Sequence, residues 1–241
     1  MTKSTRQTIF VSFSGIDGAG KSTQIGNLRE RLVEAGFRVR VIAFWDEIVA
    51  LGGIRELSSH KLFKSEKGIG TPEKPVNRRD KNVQTWYMTP VRFFLYLVDA
   101  IQVGRVVRKL RANADVDVII FDRYLYDELA NLPLDQRLTR LYVRVLLKLC
   151  PYPAVAYLLD ADPVAARERK PEYPLEFLYS NRATYMTLAK LANMSVMPAL
   201  PAAEVAREVV TTLLSRLPDG EREIFAKVPA WIDKVEINAS S

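Results

Sequence analysis

Cysteine and histidine are nearly absent from this chain: Cys150 and His60 are the sole examples in 241 residues. A lone cysteine cannot close an intramolecular disulfide, so the sequence suits a reducing compartment. A lone histidine excludes a multi-histidine metal centre. Cys150 lies in an apolar helical stretch and reads as a small buried hydrophobe rather than a nucleophile. No apolar run approaches the roughly 18 residues that a membrane-spanning helix needs, and nothing resembles a secretory signal. The expectation is a soluble, cytoplasmic protein with no membrane partner.

What the chain does have is ordinary for a globular protein, with 48% apolar and 26% charged residues. Its length suits one α/β domain with a sizeable core, or a domain with insertions. The formal net charge of +7 suits anionic partners such as nucleotides. It does not by itself indicate nucleic-acid binding, and none is expected.

One stretch organises the rest. The apolar run Ile9-Phe10-Val11-Ser12-Phe13 reads as a short buried strand. Gly15-Ile16-Asp17-Gly18-Ala19-Gly20-Lys21-Ser22 follows and fits the phosphate-binding pattern G-x-x-x-x-G-K-[ST]. Residues 23–35 then carry a helical pattern, with Ile25, Leu28, Leu32 and Ala35 on one face. The chemistry asks for these residue types. Glycines let the backbone wrap a polyphosphate with consecutive N–H groups, and the helix points its positive end at the same place. Lys21 can reach the β- and γ-phosphates, and the Ser22 hydroxyl can hold Mg²⁺. ATP is therefore expected on Gly15, Gly18, Ala19, Gly20, Lys21, Ser22 and Thr23. Asp17 is unusual there: a carboxylate so close to phosphates is costly unless it turns towards a hydroxyl or an acceptor.

Strands and helices alternate along most of the chain. The pattern predicts strands at 39–45, 116–121, 154–159 and 195–197, with helices at 91–111, 135–149 and 202–217 and two around a charged turn within 162–192. Such alternation argues for a parallel sheet covered by helices on both faces. Ligands bind at the carboxyl edge of such sheets. Glu47 lies just past the second strand. Asp122 ends a β-branched run and is placed as a P-loop enzyme places its metal-binding aspartate. Arg123 follows, with the planar fork that suits a phosphate; Asp127 or Glu128 could instead engage it in a surface salt bridge. A third cluster, Arg167-Glu168-Arg169-Lys170, is either a basic turn that closes over phosphates or a solvated helix end. The basic segment 58–81 is a solvated loop, a mobile lid or an anion-steering patch.

With these residues in view, the sequence resembles the thymidylate kinase family of nucleoside monophosphate kinases. FSGIDGAGKSTQ resembles the family's P-loop, IIFDRY at 119–124 its Asp-Arg-Tyr motif, and YLLDADPVAARERK with LEFLYSNRATYMTLAK its lid and following helix. The resemblance implies a three-layer P-loop NTPase fold and catalytic roles for Lys21, Arg123, Arg167 and Arg169. It implies that Asp17 meets the acceptor's 3′-hydroxyl, that Arg123 binds its phosphate, and that Tyr96 and Gln102 line the base pocket, with Glu47 at the same edge. Ser22 and Asp122 would hold Mg²⁺. It divides the chain into a polar leader at 1–8, a kinase domain at 9–217 and a tail at 218–241. A basic insertion at about 52–90 and a lid at about 163–176 fall inside the domain. Family members are often homodimers.

The departures lie in the acceptor half. Ala100 stands where the family has an arginine that reads thymine, Trp45-Asp46-Glu47-Ile48 replaces Arg-Glu-Pro-Gly-Gly, and Asp127 and Asn131 replace a serine and a Tyr-Gln position. ATP- and Mg²⁺-dependent transfer to a nucleoside monophosphate, dTMP foremost, is the expected activity. A P-loop kinase for another acceptor, such as a deoxynucleoside, is the alternative, with Glu47 as a candidate base. A nucleotide-dependent switch or binding module is the third reading.

Overall fold

The computed structural model describes residues 8–47, 89–112 and 115–217, and the elements below are numbered over these. The basic segment 58–81, the tail at 218–241 and all of the leader but Thr8 lie outside the described residues. Thr8 itself is buried and donates from its hydroxyl to the Val116 carbonyl at 3.0 Å, which ties the residue before the first strand to the stretch leading into β3.

The described chain runs β1 (Ile9–Ser14), α1 (Lys21–Glu34), β2 (Val39–Ala43), α2 (Phe44–Glu47), α3 (Thr89–Ala112), β3 (Val118–Asp122), α4 (Leu125–Leu129), α5 (Arg137–Leu149), β4 (Val155–Leu159), α6 (Pro163–Arg169), α7 (Leu175–Leu191), β5 (Ser195–Met197) and α8 (Ala202–Arg216). The five strands form one sheet in the order β2-β3-β1-β4-β5, every pair parallel. Two apolar clusters pack on it. One gathers residues of α1 and α8, including Ile25, Leu28, Leu32, Val209 and Leu213. The other gathers α3, α4, α5 and α7, including Val103, Leu129, Val143 and Leu188. The result is the three-layer α/β arrangement of a P-loop-like fold.

The sequence explains the layers. β1 and β4 are buried at every residue and β3 at all but its last, which is why they read as unbroken apolar runs. On α3, Tyr96, Ala100, Val103, Val107 and Leu110 recur at helical spacing and are all buried. The expected strand at 39–45 stops at Ala43, and Phe44–Glu47 turns into helix. Phe44 is fully buried and sits edge-on to Trp45, with ring centroids 5.6 Å apart. Packing those rings overrides their strand preference. The short helix α4 is absent from the periodicity reading because five residues give too little repeat to see.

Cys150 ends α5 and is buried, as its apolar surroundings predicted. Its thiol donates to the Tyr124 hydroxyl at 3.2 Å, and that hydroxyl donates to the Pro151 carbonyl at 2.5 Å. Burial pushes the thiol up to about 12, against a smaller opposing effect of the tyrosine hydrogen bond. At pH 8 only roughly one part in 10⁴ is thiolate, and the thiolate is the reactive form. A maleimide or iodoacetamide at pH 8 should leave the folded protein unlabelled for hours and modify one site at once in denaturant. Rapid labelling of the native protein, read by mass spectrometry, would contradict this burial.

Candidate functional site

β1 lies between β3 and β4, so the loop that follows it opens at the point where the sheet's connections diverge to either side. The β1–β3 register sets Phe13 opposite Asp122, and the Arg123 N–H donates to the Phe13 carbonyl at 3.0 Å. The glycine loop and the Asp122-Arg123 pair therefore share one edge.

The loop is built by its glycines. Gly15, Gly18 and Gly20 have φ values of 143°, 83° and 87°, a region L side chains rarely enter. A Cβ on Gly15 would meet the Leu159 carbonyl oxygen at 2.5 Å, and one on Gly18 would meet the Ala166 carbonyl oxygen at 2.2 Å. The loop thus packs backbone-to-backbone against the end of β4 and against α6. Gly20 caps α1 without a side-chain hydrogen bond, and no acidic residue lies in the first turn. That leaves the first N–H groups of α1 without a capping side chain, the arrangement that suits an anion. Lys21 is buried and its ammonium spans the loop, donating to the carbonyls of Gly15 at 2.8 Å and Ile16 at 2.9 Å. Ser22 and Thr23 are exposed at the start of α1.

Arg123 is the second structural centre. Its backbone is left-handed at φ 68°, a conformation that costs a non-glycine residue about 1–2 kcal/mol. Its Nη2 donates to Asp17 Oδ1 in a short ion pair, and its Nη1 lies 3.5 Å from Asp127 Oδ1. Burial works against the guanidinium charge, but Asp127 and Asp17 more than offset it, and the group stays firmly protonated. Asp127 is only 2% exposed. Its carboxylate also accepts from the Ser14 hydroxyl at 2.7 Å, the Tyr185 hydroxyl at 2.8 Å and the Tyr124 N–H at 3.0 Å. Asp17 further meets Lys170 at 3.9 Å, and Lys170 meets Glu172 at 3.4 Å. A chain of alternating charge therefore links α4, the loop and the turn after α6.

The sequence-predicted residues separate into two groups. Asp17, Lys21, Asp122 and Arg123 come together at the sheet edge. Burial, chiefly, raises the Asp122 carboxyl above its ordinary range, while Arg123 and Lys21 pull it back down. Asp122 is thus a partly buried carboxylate that a cation would stabilise. Among the described residues no cluster of three or more His, Cys, Asp or Glu forms a cage for a metal ion. Mg²⁺ commonly takes one or two protein ligands and completes its shell with phosphate and water. Ser22 and Asp122 fit an ion carried in that way. On α6, Arg167 is half-buried, while Arg169 is exposed and donates to the Ala165 carbonyl at 3.1 Å.

The remaining residues are not drawn into this cluster. Glu47 is exposed and pairs with Arg40 at 3.0 Å. Tyr96 belongs to the buried stripe of α3, and Gln102 is half-buried off that stripe. Ala100 is fully buried. Asn131 donates to the Asp127 carbonyl at 2.9 Å and lines a cleft of about 1000 Å³ between α7 and the α4–α5 connection, which the P-loop does not border. Sequence reasoning missed Ser14 and Tyr185, named Lys170 only within the basic turn and not as a partner of Asp17, and cast Asp127 as a surface partner of Arg123. The i, i+4 spacing gave the contact its only local signal.

Fold and site together define a three-layer α/β protein with a P-loop-like glycine loop beside a buried Asp-Arg cluster. No protein-family model matches the chain, and no curated protein matches it in sequence.

Gly18→Ala should force α6 off the loop, since both the positive φ and the Ala166 carbonyl oppose a methyl group. The expected loss is at least about 2 kcal/mol by urea unfolding. A variant of unchanged stability would disprove the close approach.

Proposed function

We propose that the protein is an ATP- and Mg²⁺-dependent phosphotransferase whose acceptor is a nucleoside monophosphate, dTMP to dTDP foremost. The observation that carries the reading is the meeting of Lys21 and the glycine loop with Asp17, Asp122 and Arg123 at one sheet edge. The resemblance of these stretches to the thymidylate kinase family supports the choice of acceptor.

In this reading the loop N–H groups and Lys21 bind the β- and γ-phosphates, and the N-terminus of α1 adds its dipole. Ser22 and Asp122 would hold Mg²⁺, which would supply neutralisation of the charge that develops in phosphoryl transfer. Arg123 anchors the acceptor phosphate and Asp17 its sugar hydroxyl. An acceptor oxygen attacks the γ-phosphorus in line. The new P–O bond forms as the bond to the β–γ bridging oxygen breaks, and ADP leaves with that electron pair. Arg167 and Arg169 lie on the helix that packs on Gly18, from which they can offset charge on the moving group. The protein's contribution is position and electrostatics rather than covalent chemistry.

A second reading, a kinase for a hydroxylated acceptor such as a deoxynucleoside, is favoured by two observations. Arg123 is already engaged by two carboxylates, and Ala100 is buried where the family reads thymine. A hydroxyl acceptor must lose a proton. Asp17 lies within the cluster, whereas Glu47 is exposed on Arg40.

ADP release should be measured with ATP and Mg²⁺ against dTMP, dUMP, the other monophosphates and thymidine. Preference for dTMP is the expected result. Turnover of thymidine alone would select the second reading, and silence on every acceptor would sink both. Lys21→Ala should lower turnover by at least about a hundredfold while the fold survives. Arg123→Ala should raise the acceptor KM by at least about tenfold and leave the ATP KM near its starting value. Equal losses on both substrates would remove Arg123 from the acceptor side.

A further inference from the structure

Asp127 has no role in the scheme above, yet it is the most heavily engaged carboxylate of the site. It is 2% exposed, and its carboxylate is covered by its hydrogen-bond partners. Ser14, Tyr124 and Tyr185 fix it from the end of β1, the N-cap of α4 and the middle of α7. So held, it presents Oδ1 to Arg123 at 3.5 Å.

The consequence lies in how arginine binds phosphate. The guanidinium offers its N–H groups as a rigid fork, and two parallel bonds from one side make the strong contact. Here both terminal nitrogens face carboxylates, Nη2 on Asp17 and Nη1 on Asp127. The neighbourhood is also balanced before any acceptor arrives. Asp17, Asp122 and Asp127 stand against Lys21, Arg123 and Lys170, and Lys170 is shared with Glu172. A dianionic phosphate must compete for the fork and meet two fixed negative charges beside it. An uncharged hydroxyl meets neither cost.

We propose that Asp127 is a specificity-determining positioning residue, which by sharing Arg123 with Asp17 lowers the affinity of the acceptor site for a doubly charged phosphate relative to a hydroxyl. This rests on the reading of Arg123 as the acceptor anchor. It also gives the Asp127 departure from the family's serine a physical meaning.

Asp127→Asn tests it by a gain that structural damage does not produce. The amide oxygen can still accept from Ser14 and Tyr124. The amide nitrogen then faces Tyr185, whose hydroxyl can rotate to accept, and turns a donor towards Arg123. The hold on Nη1 is lost and the fork is released. Calorimetric titration of dTMP and of thymidine, on the full chain with a non-hydrolysable ATP analogue and Mg²⁺, reads the effect. The expected result is a dTMP Kd about tenfold lower in Asp127→Asn, with the thymidine Kd within about twofold of wild type. Tyr185→Phe gives the opposite sign. Without its hydroxyl, Oδ1 is left to Arg123, and the dTMP Kd should rise about threefold.

An unchanged or weaker dTMP Kd in a folded Asp127→Asn, equal gains for dTMP and thymidine, or no dTMP binding to either protein would overturn the proposal. If Asp127→Asn fails to fold, an unchanged or tighter dTMP Kd in Tyr185→Phe overturns it instead. Turnover stays a separate readout. Absence of ADP release with every acceptor defeats the phosphotransferase reading, whereas this proposal stands or falls on the two Kd values.

Discussion

The pairing of β1 between β3 and β4 is the constraint on which the site depends. Because Phe13 lies opposite Asp122, the glycine loop leaves β1 where Arg123 leaves β3. On the other side Ser14 lies opposite Leu158, which brings the carbonyl of Leu159 against Gly15. A slip by one residue would turn every side chain of β1 to the opposite face and separate these groups. Both sheet faces are buried under apolar clusters, so the register is strongly held. Packing far from the site thereby sets its geometry.

Within that frame, the backbone and the charges divide the labour. Gly15 and Gly18, two of the loop's three positive-φ glycines, leave no room for side chains against Leu159 and Ala166, so loop, β4 and α6 form one packed unit. The helix bearing Arg167 and Arg169 is held at the loop by this close approach and by Lys170 on Asp17. Charges then tie that unit to α4 and α7 through Arg123, Asp127 and Tyr185. Burial raises the Tyr185 hydroxyl well above its ordinary value, and the neighbouring Asp127 adds to the shift. It stays protonated and remains a donor at any physiological pH.

Arg123 links these levels. Its left-handed backbone is a local cost that the strand register and two ion pairs sustain. Buried ion pairs gain little net stability once desolvation is counted, and in some proteins they serve specificity instead. A guanidinium held on two carboxylates beside the glycine loop fits that description.

The two kinds of information meet at identifiable residues. The glycine spacing, the apolar runs of β1, β3 and β4, and the helical stripes are local patterns, and a chain reports local patterns directly because backbone sterics and burial periodicity act over a few residues. So the fold class, the loop, Asp122 at a strand end and the burial of Cys150 were legible. The ion pair of Arg123 with Asp17 spans 106 positions, and the hydrogen bonds of Asp127 to Ser14 and Tyr185 span 113 and 58. No periodicity encodes such contacts; they exist only once the sheet is assembled. The same holds for Tyr96, whose aromatic ring fits a base pocket or a core equally well in sequence and is assigned to the core by its place on the buried stripe of α3. The sequence by itself determined the elements and the glycine loop that joins β1 to α1, because these are written in local spacing. Only the tertiary structure decided which charges meet, because that depends on which strands are neighbours.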